Sequence, residues 1–257
     1  MKSYIGSKTI VYAAISIIAF LLLWQLISGL GFVNSHLFPP PTKVFTAFIE
    51  WAKSGDLAND FFTSIWRVMV GLILGSFIGI SIGLFTGRNK VANSFLSPLM
   101  NVFRAFPPVA LLPVFITFFG IGNFSKVFSI AVASIFPIWI NTHIGSSSVP
   151  VEYLRSAKLL TQSQFKTFFK IILPASLPQV IAGFRISLSI SFIMLYVSEL
   201  AGASNGLGYE IMSSQLAYRM DLMFASLITL GCTAAIFDSL FNMLAGVLFP
   251  WIKLNKQ

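Results

Sequence analysis

The chain has 257 residues, 56% of them hydrophobic and only 10% charged, where a soluble domain carries about 25% charged residues. A soluble globular fold is thereby excluded, and the bilayer is the solvent for most of the chain. The net charge of +9 falls in short segments between apolar runs, which excludes a nucleic-acid-binding face and marks the basic residues as topology determinants.

At about 20 apolar residues per crossing, the sequence predicts an all-α polytopic membrane protein of about six transmembrane helices in a single domain, residues 1–257. The first span is residues 9–30. It is longer than a signal-peptide core and is followed by no small-x-small cleavage site, so it reads as retained. Phe38-Pro39-Pro40-Pro41 opens an amphipathic piece, residues 43–53, whose Phe45, Phe48 and Trp51 predict an interfacial position on the outer side. The second span, 64–86, carries Gly71, Gly75, Gly79 and Gly83 at four-residue spacing. That smooth stripe predicts close packing against another helix of the same subunit. Arg88 and Lys90 mark the next turn. The third span, 97–119, contains Pro107, Pro108 and Pro113, and Gly120-Ile121-Gly122-Asn123 separates it from the fourth, 126–143.

Residues 150–178 form the one long polar interruption in the second half of the chain. Arg155, Lys158, Lys166 and Lys170 stand there against a single acid, Glu152. The apolar residues Leu154, Ala157 and Leu160, then Phe165, Phe168, Phe169 and Ile172, have helical spacing and predict two short helices with one apolar face each. Thr161 and Gln164 fit a capping box at the start of the second, and Pro174 and Pro178 predict its end. A basic segment between apolar spans belongs in the cytoplasm. Its exposed Phe and Leu side chains fit either a partner surface or an anionic lipid interface. The fifth span is 179–201, an external segment runs over 202–221, and the sixth span is 222–251, longer than a crossing requires. With the N-terminus inside, inner segments hold ten Lys or Arg residues and outer segments four, so both termini are expected in the cytoplasm.

No phosphate-binding Gly-x-x-x-x-Gly-Lys-Ser/Thr loop and no His-Glu-x-x-His zinc pair occur. No metal site, no cofactor bound by this chain and no catalytic residue is therefore expected. His36 and His143 read as ordinary interfacial residues, and Cys232, in an apolar run, as a small buried hydrophobe. Ionisable groups within spans carry more information, because they are costly there. Arg67 and Arg185 read as span-end residues that snorkel. Arg104, just before the proline pair, either bonds backbone carbonyls freed by the prolines or forms a positive wall on a path for an anion. Glu199 either bonds the 206–209 turn or lines an outer gate. Asp238 pairs with Arg67 or Arg104, or faces a dimer interior. Tyr196 and part of the set Ser187, Ser189 and Ser191 are candidates to line the path, although these three serines do not share one helical face. Ser191 is the member assigned to it.

Two stretches resemble a known family. Residues 155–174 are similar to the coupling motif of bacterial ABC importer permeases, Glu-Ala-Ala, three residues, Gly, nine residues, Ile-x-Leu-Pro. Ala157, Ile171, Leu173 and Pro174 are in register, while Arg155, Ser156 and Thr161 replace Glu, Ala and Gly. The run Phe103 to Pro113, with Phe119-Gly120-Ile121-Gly122, Phe136-Pro137, and Glu199 followed by Gly206-Leu207-Gly208-Tyr209, resembles the nitrate, sulfonate and taurine permease group over roughly residues 20 to 250. The resemblance implies a type I importer permease in the bacterial inner membrane. It implies a second permease copy or a related chain, two cytoplasmic ATP-binding subunits that use the ATP, and an extracytoplasmic solute-binding protein. Coupling to the ATPase would fall to Arg155, Ser156, Ala157, Leu160, Thr161, Phe165, Ile171, Leu173 and Pro174. The solute would be a small anion such as a sulfonate, taurine or nitrate, with a neutral pyrimidine vitamin precursor as the alternative. A channel or signalling protein without an ATPase partner is the competing class.

Overall fold

A computed structural model describes residues 7–31, 33–160 and 163–250. The described residues form helices α1 (Ser7–Gly29), α2 (Pro41–Ser54), α3 (Asp56–Arg88), α4 (Lys90–Ala105), α5 (Leu112–Phe119), α6 (Asn123–Ser147), α7 (Val151–Leu160), α8 (Gln164–Thr167), α9 (Leu173–Leu200), α10 (Leu207–Leu216) and α11 (Met220–Leu248). Thr161 and the side chain of Leu160 lie outside the described residues. Five helices are long and apolar enough to cross a membrane. The pair Lys90–Ala105 and Pro108–Phe119, bent by 87°, makes a sixth crossing if counted as one.

The glycine stripe on α3 sets the architecture. A Cβ on Gly79 would lie 2.8 Å from the Ile135 carbonyl oxygen, and one on Gly83 would lie 2.6 Å from Thr142 Cβ. Gly71 and Gly75 meet Ile130 and Ser134 in the same way, and Gly87, beyond the predicted end of the span, extends the series to Ser146. Each four-residue step on α3 is answered by a four-residue step on α6, so the two helices run parallel with their backbones in contact. A parallel pair forces the intervening chain to return across the bundle. The bent segment α4–α5 does this, broken by Pro107 and by a 3₁₀ turn over Pro108–Leu111. Helix α9 then runs antiparallel to α6. Gly183 and Gly145 admit close contact, and Ser187 donates to the Ser134 carbonyl at 2.9 Å. Val68, Leu72, Ile130, Ile138, Met194, Leu195 and Leu207 fill the core among these helices.

Several expectations need correction. Pro174 and Pro178 do not end a helix. Gln164–Leu200 is one helical stretch, with Pro174 in the first turn of α9 and Pro178 inside it. The reason is a π-turn over Phe168–Ile172, in which the Leu173 N–H reaches back to the Phe168 carbonyl. The widened turn relaxes the i−4 ladder at Lys170, where Pro174 offers no donor, and Pro178 is carried inside α9. The hydroxyl of Ser163, the residue before α8, accepts from the Lys166 N–H at 3.3 Å. Trp51 is buried with Val44 and Ala47 on the inner face of α2, while Phe45 on the same helix is exposed. Cys232 lies on the exposed side of α11. Helix α1 is almost wholly exposed and joins the bundle only at its last turns, where Trp24 packs on Phe38 and Phe224 and donates to the Pro39 carbonyl.

Candidate functional site

At one end of the bundle the starts of α3 and α6 meet the end of α9 and the start of α10, and a buried polar knot ties them. Arg67 comes from α3, three turns inside its start, where it is buried and its donors must be answered from within the protein. Its Nε and Nη2 donate to Asn123 Oδ1 at 2.9 and 2.8 Å, and Nη2 also to Asn205 Oδ1 at 3.0 Å. Its Nη1 donates to Glu199 Oε1 at 2.7 Å and to the Asn205 carbonyl at 2.8 Å. Arg67 therefore does not snorkel. Its guanidinium fork is matched by acceptors on three other segments, which is what a buried guanidinium requires.

The same knot caps α10 from outside the helix. Gly206, Leu207 and Gly208 N–H groups donate to Asp60 Oδ1 at 2.7 Å, Ser64 Oγ at 2.8 Å and Glu199 Oε2 at 2.8 Å. These are orphan donors of a helix start, and two carboxylates placed there also suit the helix dipole. Gly206 has φ +125°, and a Cβ on it would sit 2.5 Å from Glu199 Oε1, so the turn and the acid specify each other. Of the two uses weighed for Glu199, the bond to the 206–209 turn is present. Lys126 lies beside the knot and donates to the Gly122 and Gly202 carbonyls. Within α10, burial pushes the Glu210 carboxyl above the ordinary range, and the Ser214 hydroxyl donated to it acts the other way.

Nearer the middle of the bundle, a second set of residues faces open space. Arg104 is exposed at the end of α4, at the 87° bend. It lines a cavity of about 290 Å³ with Pro108, Ala133, Pro137, Ile190 and Ile193. Ala133 and Pro137 are midway along α6, which sets the depth of the guanidinium. Of the charged side chains away from the ends of the crossing helices, Arg67, Glu199, Lys126, Arg185 and Asp238 have partners, and Arg104, at the bend, has none among the described residues; Lys90, also without one, stands at the first residue of α4. The expected bond from Arg104 to freed backbone carbonyls is not formed. Ile193 also borders a larger groove of about 520 Å³ between α9 and α11, lined by Ser189, Phe192, Tyr196 and Asp238 among others. Asp238 pairs there with Arg185 and with neither Arg67 nor Arg104. The sequence placed Arg185 at a helix end because it began the span at residue 179; with α9 beginning at Leu173, Arg185 is near the middle. Ser191 is fully buried in the α6–α9 seam, bonded to the Ser187 carbonyl and the Ser134 hydroxyl. Ser189 is the serine that faces the groove.

At the far end from the knot, α7 and α8 project an apolar surface. Leu159 is 89% exposed and Phe165 71% exposed, Phe169 packs on Phe165, and Tyr153, Arg155 and Ser156 are exposed as well. Ala157 is the exception to the predicted set. At 1% exposure it is buried within the chain, while Arg155 and Ser156 beside it are exposed. Ile171, Leu173 and Pro174 are half-buried at the root of the segment.

Sequence reading missed Asp60, Ser64, Asn123 and Asn205. The only local trace was the acid at 199 followed by Gly206-Leu207-Gly208, since the partners on α3 are more than 130 residues away.

The family described as the binding-protein-dependent transport system inner membrane component matches residues 71–254. The chain is 34% identical over 229 residues to the putative aliphatic sulfonates transport permease protein SsuC of Bacillus subtilis, covering 89% of this chain and 83% of that one. It is 28% identical to the nitrate import permease protein NrtB of Synechocystis, covering 96% and 92%. An inward-facing structure of the MetNI methionine ABC transporter superposes with a TM-score of 0.62 at 19% identity, over 77% of this chain and 96% of that one, which is a likeness of fold. Crossing helices, parallel glycine-packed core and family match agree: the chain belongs to the inner-membrane permease components of binding-protein-dependent ABC importers.

Proposed function

We propose that this chain forms the membrane path of an importer for a small anion of the sulfonate or nitrate type, and that a separate ATPase drives it through α7 and α8. Arg104 carries the solute reading. It is a guanidinium at mid-bundle depth, without an acid or carbonyl partner among the described residues, on the wall of an otherwise apolar cavity. An unpaired charge is retained at that depth only where it faces a solute or water. The relatives named for aliphatic sulfonates and nitrate support the same solute class. The exposed Leu159, Tyr153, Phe165 and Phe169 supply an apolar contact for the ATPase, with Arg155, Lys166 and Lys170 at its rim. A second permease copy completes the path, an extracytoplasmic binding protein delivers the solute, and partner subunits use the ATP. The basic α7–α8 end lies in the cytoplasm, so both termini do too.

Uptake of labelled ethanesulfonate into proteoliposomes holding the complete complex tests the solute. Arg104→Ala is expected to lower it 10- to 100-fold, the loss of one charge-assisted contact of about 1.5–3 kcal/mol, with Arg104→Lys intermediate. Unchanged uptake in Arg104→Ala, or transport of neutral pyrimidines in place of the anion, would overturn the reading. For the drive, the double substitution Leu159→Asp and Phe165→Asp is expected to abolish co-purification of the ATPase while the permease stays in the membrane. Wild-type recovery of the ATPase would count against docking at α7–α8.

A further inference from the structure

The Arg185–Asp238 pair combines a mid-helix position with a half-exposed setting. It joins the middle of α9 to α11 in a bidentate contact, Nε to Oδ1 at 2.9 Å and Nη2 to Oδ2 at 3.1 Å, and Asn242 donates to Oδ2 at 3.0 Å. Yet the Arg185 side chain is 55% exposed and that of Asp238 30% exposed. Two charges on crossing helices do not face lipid; they face protein or a water-filled space. Asp238 itself lines the neighbouring groove, whose other polar groups are the hydroxyls of Ser189 and Tyr196, and neither hydroxyl has a partner within the chain among the described residues. Ile193 joins this groove to the Arg104 cavity. The open face of α9 therefore has an unpaired guanidinium on one flank and a paired one on the other.

We infer that Arg185 is a second contact for the solute anion, kept neutral by Asp238 until the anion displaces the carboxylate. This rests on the anion reading above and adds a station and a regulating acid to the same path. A guanidinium fork that grips a carboxylate through two parallel N–H groups offers the same two donors to the oxygens of a nitrate or sulfonate. Because the pair is half exposed, exchange of one oxyanion for another requires no opening of the core. Asp238 then also releases the solute, since it competes for the same donors. An importer with two permanently free guanidiniums would hold its anion; one free and one compensated guanidinium let it pass.

The test compares Asp238→Asn with the neutral double variant Arg185→Gln/Asp238→Asn, both in the permease–ATPase complex. The double variant leaves no unpaired charge, so its thermal midpoint is expected to match wild type. Direct binding of labelled ethanesulfonate to the solubilised complex, without binding protein, is expected to tighten at least 3-fold in Asp238→Asn and to weaken at least 10-fold in the double variant. Uptake by the reconstituted complex with its binding protein is expected to fall in both. A double variant that binds and transports ethanesulfonate like wild type makes the pair structural and overturns the inference alone. So does Asp238→Asn with unchanged binding. A wild-type complex that carries neither ethanesulfonate nor nitrate overturns the solute reading and this inference with it.

Discussion

Arg67→Met is expected to cost about 3–5 kcal/mol of stability, the loss that follows when one member of a buried ion pair is removed and the other charge is stranded. The substitution keeps most of the volume but removes every donor that Arg67 directs at Asn123, Glu199 and Asn205. Thermal unfolding in detergent, followed by size-exclusion chromatography, measures it. Arg67→Lys should fall between, because a single ammonium cannot reach three segments with the geometry of the fork. The double variant Arg67→Met/Glu199→Met separates a pair from a knot. If the two residues served only each other, apolar replacement of both would be nearly neutral. Here Glu199 also accepts from Gly208 N–H and Ser64 Oγ, so the double variant should remain destabilised. A double variant as stable as wild type would reduce the cluster to a simple ion pair.

Gly79→Val should be comparably damaging for a steric reason. Its Cβ would stand 2.8 Å from a backbone oxygen of α6 and 3.0 Å from Ile138 Cγ2. A side chain can turn away, but the carbonyl of a packed helix cannot, so α3 and α6 must separate along their length. Overpacking in a close-packed interior costs about 1–3 kcal/mol, and the upper part of that range applies where the obstacle is backbone. Loss of a disulfide engineered between the two helices, scored by gel mobility in the variant against the parent, would report the separation. Gly231 of α11, which a Cβ would leave without a neighbour within 4 Å, is the control. Gly231→Ala should leave the same cross-link intact, and equal loss in both would remove the steric explanation.

These features differ in how well the sequence announced them. The glycine stripe was legible because its message is local: four-residue spacing places small residues on one face, and a face of glycines serves only close approach. The acid at 199 and Gly206-Leu207-Gly208 were legible as a motif, but Asp60, Ser64 and Arg67 were not. Nothing within a few residues of them differs from an ordinary amphiphilic span start, and the contact spans more than 130 residues. Helical spacing in α7 gave a face without saying which of its residues the chain would bury, so Ala157 was grouped with the exposed Arg155 and Ser156. The proline at 174 misled because the rule that stops a helix assumes an α-turn before it, and the π-turn at Phe168–Ile172 is a property of the packed structure; Pro178 is accommodated inside α9. That one misplaced boundary moved Arg185 to a helix end and hid its partner.

The uninterrupted stretch Gln164–Leu200 has a mechanical meaning. At 1.5 Å per residue, 37 residues make a rod of about 55 Å. It begins beside exposed Phe165 and ends at Glu199, which holds the first turn of α10. One helical stretch thus joins the exposed end of the chain to the buried polar knot, so its two ends are related through a single element and not through a relay of loops.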